Sequence, residues 1–189
     1  TPATAGGFSA AAFFFARDLH KRYAVPIGII NSAWGGTQIE GWISEATLKE
    51  LPAAAAIFDR WQKRLSDYPA ALAAHEKSVA TWEQEKAGAQ AAGRAFKRGK
   101  GKAPEGPNSR WMPGGMYNAM IAPLVPYAVK GVLWYQGEAN AERHAEYASL
   151  FGALIKQWRA DFCQPLPFFF VQLANFERGE GNKGTTWAF

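Results

Sequence analysis

Three turns in this 189-residue chain carry residue types that acyl-transfer chemistry requires. The first, Asn31-Ser32-Ala33-Trp34-Gly35-Gly36-Thr37, contains paired glycines. Glycine lets the backbone turn sharply and lets a ligand oxygen come close to a main-chain N–H. The second, Gln136-Gly137-Glu138-Ala139-Asn140, holds two side-chain amides, and Glu138 can orient a neighbour. Either amide can donate to an oxygen that becomes negative in a transition state. Each turn also has a plain structural reading. Gly35-Gly36 makes a tight turn without any ligand, and Asn140 suits the N-cap of a helix starting near Glu142. The third turn is Gln172–Asn175.

A nucleophile and a base are harder to find. Ser32 ends an apolar run, but it precedes Trp34-Gly35-Gly36 and is not set in a Gly-x-Ser-x-Gly elbow. His20, His75 and His144 all fall within predicted helices, where surface positions are expected. Two rival readings follow from the same turns. Glu40 and Glu138 could form the carboxylate pair of a glycosidase. Trp34, Trp42 and Trp134 could instead serve a sugar-binding or scaffold module without catalysis.

The elements that position these turns alternate in type. Apolar residues at Ala12, Phe15, Leu19 and Tyr23 predict an amphipathic helix from about Phe8. Runs at 26–31, 131–136 and 167–173 are rich in Val, Ile, Leu and Phe, as strands buried on both faces must be. Ser44 opens a short helix as its N-cap. A second amphipathic helix lies between the last two runs, with Tyr147, Leu150, Phe151, Leu154, Trp158 and Phe162 on one face. Strands alternating with helices predict a parallel sheet covered on both faces, a three-layer α/β/α arrangement. In such sheets ligands sit beyond the carboxyl ends of the strands. All three runs end in the turns described above, so those turns are expected at one edge. Residues 53–103 interrupt the pattern. Their Ala, Glu, Lys and Gln content predicts one or two long helices as an appendage, with a linker over 99–113.

Charge argues against nucleic acid as the partner. The formal net charge is +5, and residues 59–110 carry 11 Lys/Arg against 6 Asp/Glu, which accounts for all of it. The surplus ends in Arg94, Lys97, Arg98, Lys100 and Lys102 among glycines, the composition of a solvated loop. No apolar run reaches the length of a membrane span. The one cysteine, Cys163, excludes an internal disulfide and suggests no metal site. Both ends have the look of an interior segment.

Three ordered motifs then become specific together. Asn31-Ser-Ala-Trp-Gly-Gly-Thr-Gln-Ile-Glu-Gly-Trp42, Tyr117-Asn-Ala-Met-Ile-Ala-Pro-Leu124 and Gly131-Val-Leu-Trp-Tyr-Gln-Gly-Glu-Ala-Asn140 closely resemble the sialate O-acetylesterase family, a branch of the SGNH hydrolases. Phe170-Val-Gln-Leu-Ala-Asn-Phe176 resembles it too. The resemblance spans about residues 1–50 and 108–189. It implies an incomplete SGNH-like α/β/α domain over 1–189 with a helical insertion at 53–103. It further implies a metal-free, cofactor-free Ser-His-Asp esterase acting on acetylated sugars, secreted or periplasmic. Gly36 would supply an oxyanion N–H, and Gln136 or Asn140 the side-chain donor. Trp34, Gly35, Tyr117, Asn118, Gly137 and Glu138 would lie near the substrate. The family's Gly-Gln-Ser-Asn and Asp-x-x-His motifs do not occur here. The nucleophile and base are therefore expected outside these residues, and the segment alone is expected to be inactive.

Overall fold

The computed structural model describes Thr4 and residues 6–174. Helix α1, Ala10–Tyr23, begins where the Ser9 hydroxyl accepts from the Ala12 N–H and ends with Ala24 in the left-handed region. His20, Lys21 and Arg22 occupy its last turn, where cations offset the negative end of the helix dipole. A single 3-10 turn, Ile39–Trp42, leads to the short helix α2, Glu45–Lys49, capped by Ser44 as expected. Helix α3, Ala54–Ala91, follows.

The 38 residues of α3 make it about 57 Å long at 1.5 Å per residue. Only its first turn reaches the main core, through Ile57 and the partly buried Phe58. Trp61, Leu65, Leu72, Val79 and Trp82 form a half-buried stripe farther along. The chain then folds back on the helix. The Trp82 Nε1–H donates to the Arg98 carbonyl at 2.7 Å, Phe96 packs edge-on against Trp82, and Arg98 and Lys100 pair with Glu85 and Glu83. The basic surplus is thus partly spent on the acidic side of α3.

After a π-helical turn, Tyr117–Ile121, and a 3-10 turn, Ala122–Leu124, the chain enters strand β1, Val132–Trp134. A 3-10 turn, Glu138–Arg143, runs into helix α4, His144–Asp161, which returns the chain to strand β2, Phe168–Phe170. The two strands pair in parallel, Val132 opposite Phe168 and Trp134 opposite Phe170. This is the predicted strand–helix–strand unit, with shorter ladders than the apolar runs suggest.

The run at 26–31 departs from expectation. It is not a strand among the described residues, and the sheet has two strands rather than three. A ladder needs a neighbour offering alternate N–H and C=O groups, and Pro26 brings no N–H. Hydrophobicity alone does not supply that neighbour. Ile27 and Ile30 remain 37% and 48% exposed, and Leu133, Phe169 and Phe170 are exposed as well. Helix α1 touches this side through Phe15 and Phe169, whose ring centroids are 5.7 Å apart. The sheet is therefore well covered by α4 and sparsely covered opposite. No helix among the described residues is long and apolar enough to cross a membrane.

The core gathers on the α4 side around Trp134. Its ring stacks on Phe151 at 5.8 Å and meets Trp42 and Trp158 edge-on at 6.4 and 5.9 Å. Buried indoles need acceptors for their N–H groups. Trp42 donates to the Thr37 hydroxyl, Trp158 to the Trp42 carbonyl and Trp134 to the Tyr147 hydroxyl. Trp42 and Trp134 are only 4% and 8% exposed, so they are core residues, unavailable to stack on a sugar. Trp34, 54% exposed, stays on the surface. Replacing Trp134 by alanine removes the hub of this cluster, and a loss of about 3–5 kcal/mol in urea-unfolding free energy is expected.

Candidate functional site

The first two turns meet at the carboxyl end of β1. Gln136 lies two residues beyond that strand, and its Nε2 donates to the Thr37 carbonyl at 3.1 Å. The same nitrogen donates to Asn140 Oδ1 at 2.8 Å, and that oxygen also accepts the Ile39 N–H at 2.9 Å. Asn140 Nδ2 in turn donates to Glu40 Oε2 at 2.8 Å. One amide therefore ties the segment after Gly36 to the segment after β1.

Glu40 is 3% exposed, and a carboxylate that deep needs a counterion. Arg143 provides it, with NH2 at 2.9 Å from Oε1. Gln38 sits between them, and with its amide turned so that the nitrogen faces Glu40 it donates there at 3.1 Å and accepts from Arg143 at 2.7 Å. Arg143 is the N-cap residue just before α4 and lies 103 residues from Glu40 in sequence. On the other side of the junction, the Tyr147 hydroxyl lies 2.9 Å from the Gln136 carbonyl and 3.0 Å from its side-chain oxygen. Burial pushes the Tyr147 hydroxyl pKa up, with the charge of Glu138 adding to the rise and the Trp134 hydrogen bond opposing it.

Gly36 adopts a φ of +74°, a conformation that suits glycine. It is exposed, and among the described residues its N–H has no acceptor. Gly137 is held more tightly: φ is +156°, and a Cβ there would lie 2.9 Å from the Leu173 side chain. The Arg110 guanidinium covers Gly36 from above. It donates to the Gly35 carbonyl at 3.2 Å, and a Cβ on Gly36 would meet it at 3.7 Å.

Of the residues singled out in the sequence, the structure brings Gly35, Gly36, Gln136, Gly137 and Asn140 together. Glu138 is exposed at the start of its 3-10 turn, and Trp34 is exposed beside the glycines. The Tyr117 hydroxyl does not join them. It donates to Asp161 at 2.8 Å, in the last turn of α4, whereas Asn140 precedes that helix. Asn118 is exposed on the same π-helical turn as Tyr117. Ser32 gives its hydroxyl to the Met120 carbonyl at 3.1 Å. The His20 ring meets the Val25 carbonyl at the end of α1, His75 lies within α3, and His144 is exposed at the first residue of α4. Asn175 lies outside the described residues.

Residues 103–187 match a family described as carbohydrate esterase, sialic acid-specific acetylesterase. The sialate O-acetylesterase of Rattus norvegicus is 34% identical over 179 residues, covering 89% of this chain and 30% of the relative. That of Mus musculus is 32% identical over 178 residues, with 89% and 30% covered. The Homo sapiens protein is 30% identical over 178 residues, with 88% and 25% covered. Over most of its length the chain is similar to the sialate O-acetylesterases. It spans about 30% of the length of its rat relative. No solved structure matches it.

Three contributors to the junction have no mark in the sequence. Arg143, Arg110 and Tyr147 have no local signature, because each acts on a residue distant in sequence or on a backbone atom. Only with Glu40 seen to be buried does a cation partner become obligatory.

Two predictions follow from this network. Asn140→Asp keeps the shape but sets a carboxylate against Glu40, and a loss of at least about 3 kcal/mol in chemical denaturation is expected. The second concerns alkaline pH. The hydroxyls of Tyr117 and Tyr147 both titrate above the ordinary 10.0, mainly through burial, so the folded state holds their protons more tightly than the unfolded chain. Stability should be insensitive to these groups below pH 10 and fall as pH rises beyond it. Tyr147→Phe should flatten part of that decline in denaturation curves recorded from pH 8 to 11.

Proposed function

We propose that the protein is a carbohydrate O-acetylesterase acting on acetylated sugars of the sialic acid class, and that this chain supplies the oxyanion side of its site. The observation that carries the reading is the junction of the Gly35-Gly36 turn with the Gln136–Asn140 turn. An ester carbonyl develops negative charge as a nucleophile attacks, and preorganised N–H groups lower that barrier. Gly36 offers an exposed main-chain N–H, and Gln136 is the half-buried amide beside it. Gln136 is the side-chain donor in this reading, with one of its hydrogens leaving the Thr37 carbonyl for the substrate oxygen. Asn140 is 2% exposed and serves as a positioning residue.

The nucleophilic serine and the histidine base are assigned to parts of the protein beyond these 189 residues. Two observations support this. Ser32 spends its hydroxyl on a backbone carbonyl, and each of the three histidines lies on a helix with no hydrogen bond to Ser32 among those described. The relatives are also more than three times longer than the matched region. A glycosidase reading gains nothing from the geometry. Both oxygens of Glu40 are engaged in the interior, so it does not face a sugar bond.

The test is acetate release from an O-acetylated sialic acid by the complete protein. Gln136→Ala should lower kcat by about 100- to 1000-fold, the usual cost of losing one oxyanion donor. This 189-residue chain alone, and its Ser32→Ala variant, should release no acetate above background. Undiminished turnover in Gln136→Ala, or Ser32-dependent release by this chain, would contradict the assignment.

A further inference from the structure

We propose that a cavity beside the junction, walled by Arg60, Arg64, Trp111, Arg143 and Glu40, is an anion subsite that takes the carboxylate of the acidic sugar. The inference rests on the esterase reading for its substrate class, and on the cavity for its chemistry. The cavity is about 60 Å³, room for a small charged group and not for a sugar ring. It lies between the first turns of α3, the loop at 111–113 and the Glu40–Arg143 pair.

Its charge balance is incomplete. Arg143 is neutralised by Glu40, and Arg60 makes a paired contact with Glu146 at 2.9 and 3.0 Å. Arg64 has no carboxylate partner among the described residues. Its guanidinium instead stacks on the Trp111 ring, 4.7 Å from the centroid. Arginine is well suited to this arrangement, because the stacked plane leaves its edge N–H groups free for a carboxylate.

The hydrogen-bond balance is incomplete in the same direction. Among the described residues, the buried side-chain polar atoms without a hydrogen-bond partner are Trp111 Nε1, Arg143 Nε, which has only Glu146 Oε2 at 4.0 Å, and Arg110 Nε. All are donors, and the first two belong to residues that line the cavity. Buried donors without acceptors are costly, and a bound anion would supply acceptors. The position also fits. Gln38, part of the wall, is two residues from Gly36, at most about 7 Å of backbone, comparable with the width of one sugar. Arg110, next to Trp111, already reaches the Gly35 carbonyl.

Calorimetric titration of the complete protein with free N-acetylneuraminate, its methyl ester and inorganic phosphate tests the subsite directly. The acid should bind about 10- to 100-fold more tightly than the methyl ester, the range for a charged hydrogen-bonded contact. Arg64→Gln should abolish that difference while leaving turnover of neutral p-nitrophenyl acetate unchanged. Trp111→Phe keeps the stacked ring and removes the N–H, and it should weaken acid binding several-fold with an unaltered circular dichroism spectrum. Equal binding of acid and ester overturns the subsite, as does phosphate binding that depends on Arg64 without any binding of the sugar acid. If no acetyl ester is hydrolysed but the acid-over-ester preference persists and needs Arg64, the esterase reading fails and the subsite stands.

Discussion

A buried carboxylate organises this structure. Glu40 sits at 3% exposure, and everything that keeps it there also defines the candidate site. Asn140 and Arg143 approach it from the segment after β1, while Gln38 and the Ile39 N–H complete the network from its own side. A charge without such partners would not stay in the interior. The two glycine-bearing turns are therefore held together by an electrostatic requirement, with the tryptophan core packed beneath. Trp42 links the two, since it belongs to the core and donates to Thr37 directly after Gly36.

Much of the local architecture was readable from residue types. The cap at Ser44, the amphipathic face of α4 and the parallel pairing of the runs at 131–136 and 167–173 follow from periodicity and capping chemistry. The long helix within 53–103 follows from its alanine and charge content. The run at 26–31 shows where this reasoning stops. Its composition matches a buried strand, yet strand formation is a property of a pair, and the described residues provide it no partner. The burial of Trp42 and Trp134 was equally invisible, because an aromatic residue looks the same in a sequence whether it faces a sugar or a core.

The site was legible in part. A glycine pair after an apolar run and amides beyond β1 marked Gly36, Gln136 and Asn140, and the two turns that carry them meet. Their division of labour was not legible. Whether an amide faces a ligand or a neighbouring backbone depends on tertiary contacts such as Ile39–Asn140 and Thr37–Gln136. Tyr117 illustrates the opposite outcome: it lies in a motif resembling the family, yet its hydroxyl serves Asp161 at the far end of α4. Two of the arginines around the cavity, Arg60 and Arg64, belong to the basic segment 59–110, and Arg143 lies outside it. Folding sorts them into neutralised members and one, Arg64, that is stacked and without a carboxylate partner among the described residues.

The central claim is that the exposed Gly36 N–H faces the oxygen of an acetyl group. The most direct measurement is a two-dimensional proton–nitrogen NMR titration of the complete protein with acetate, the product of the proposed reaction. The account predicts a saturable downfield shift of the Gly36 amide proton, accompanied by the Gln136 side-chain amide and not by that of Asn140. Saturable acetate binding that leaves the Gly36 and Gln136 signals unmoved would contradict it.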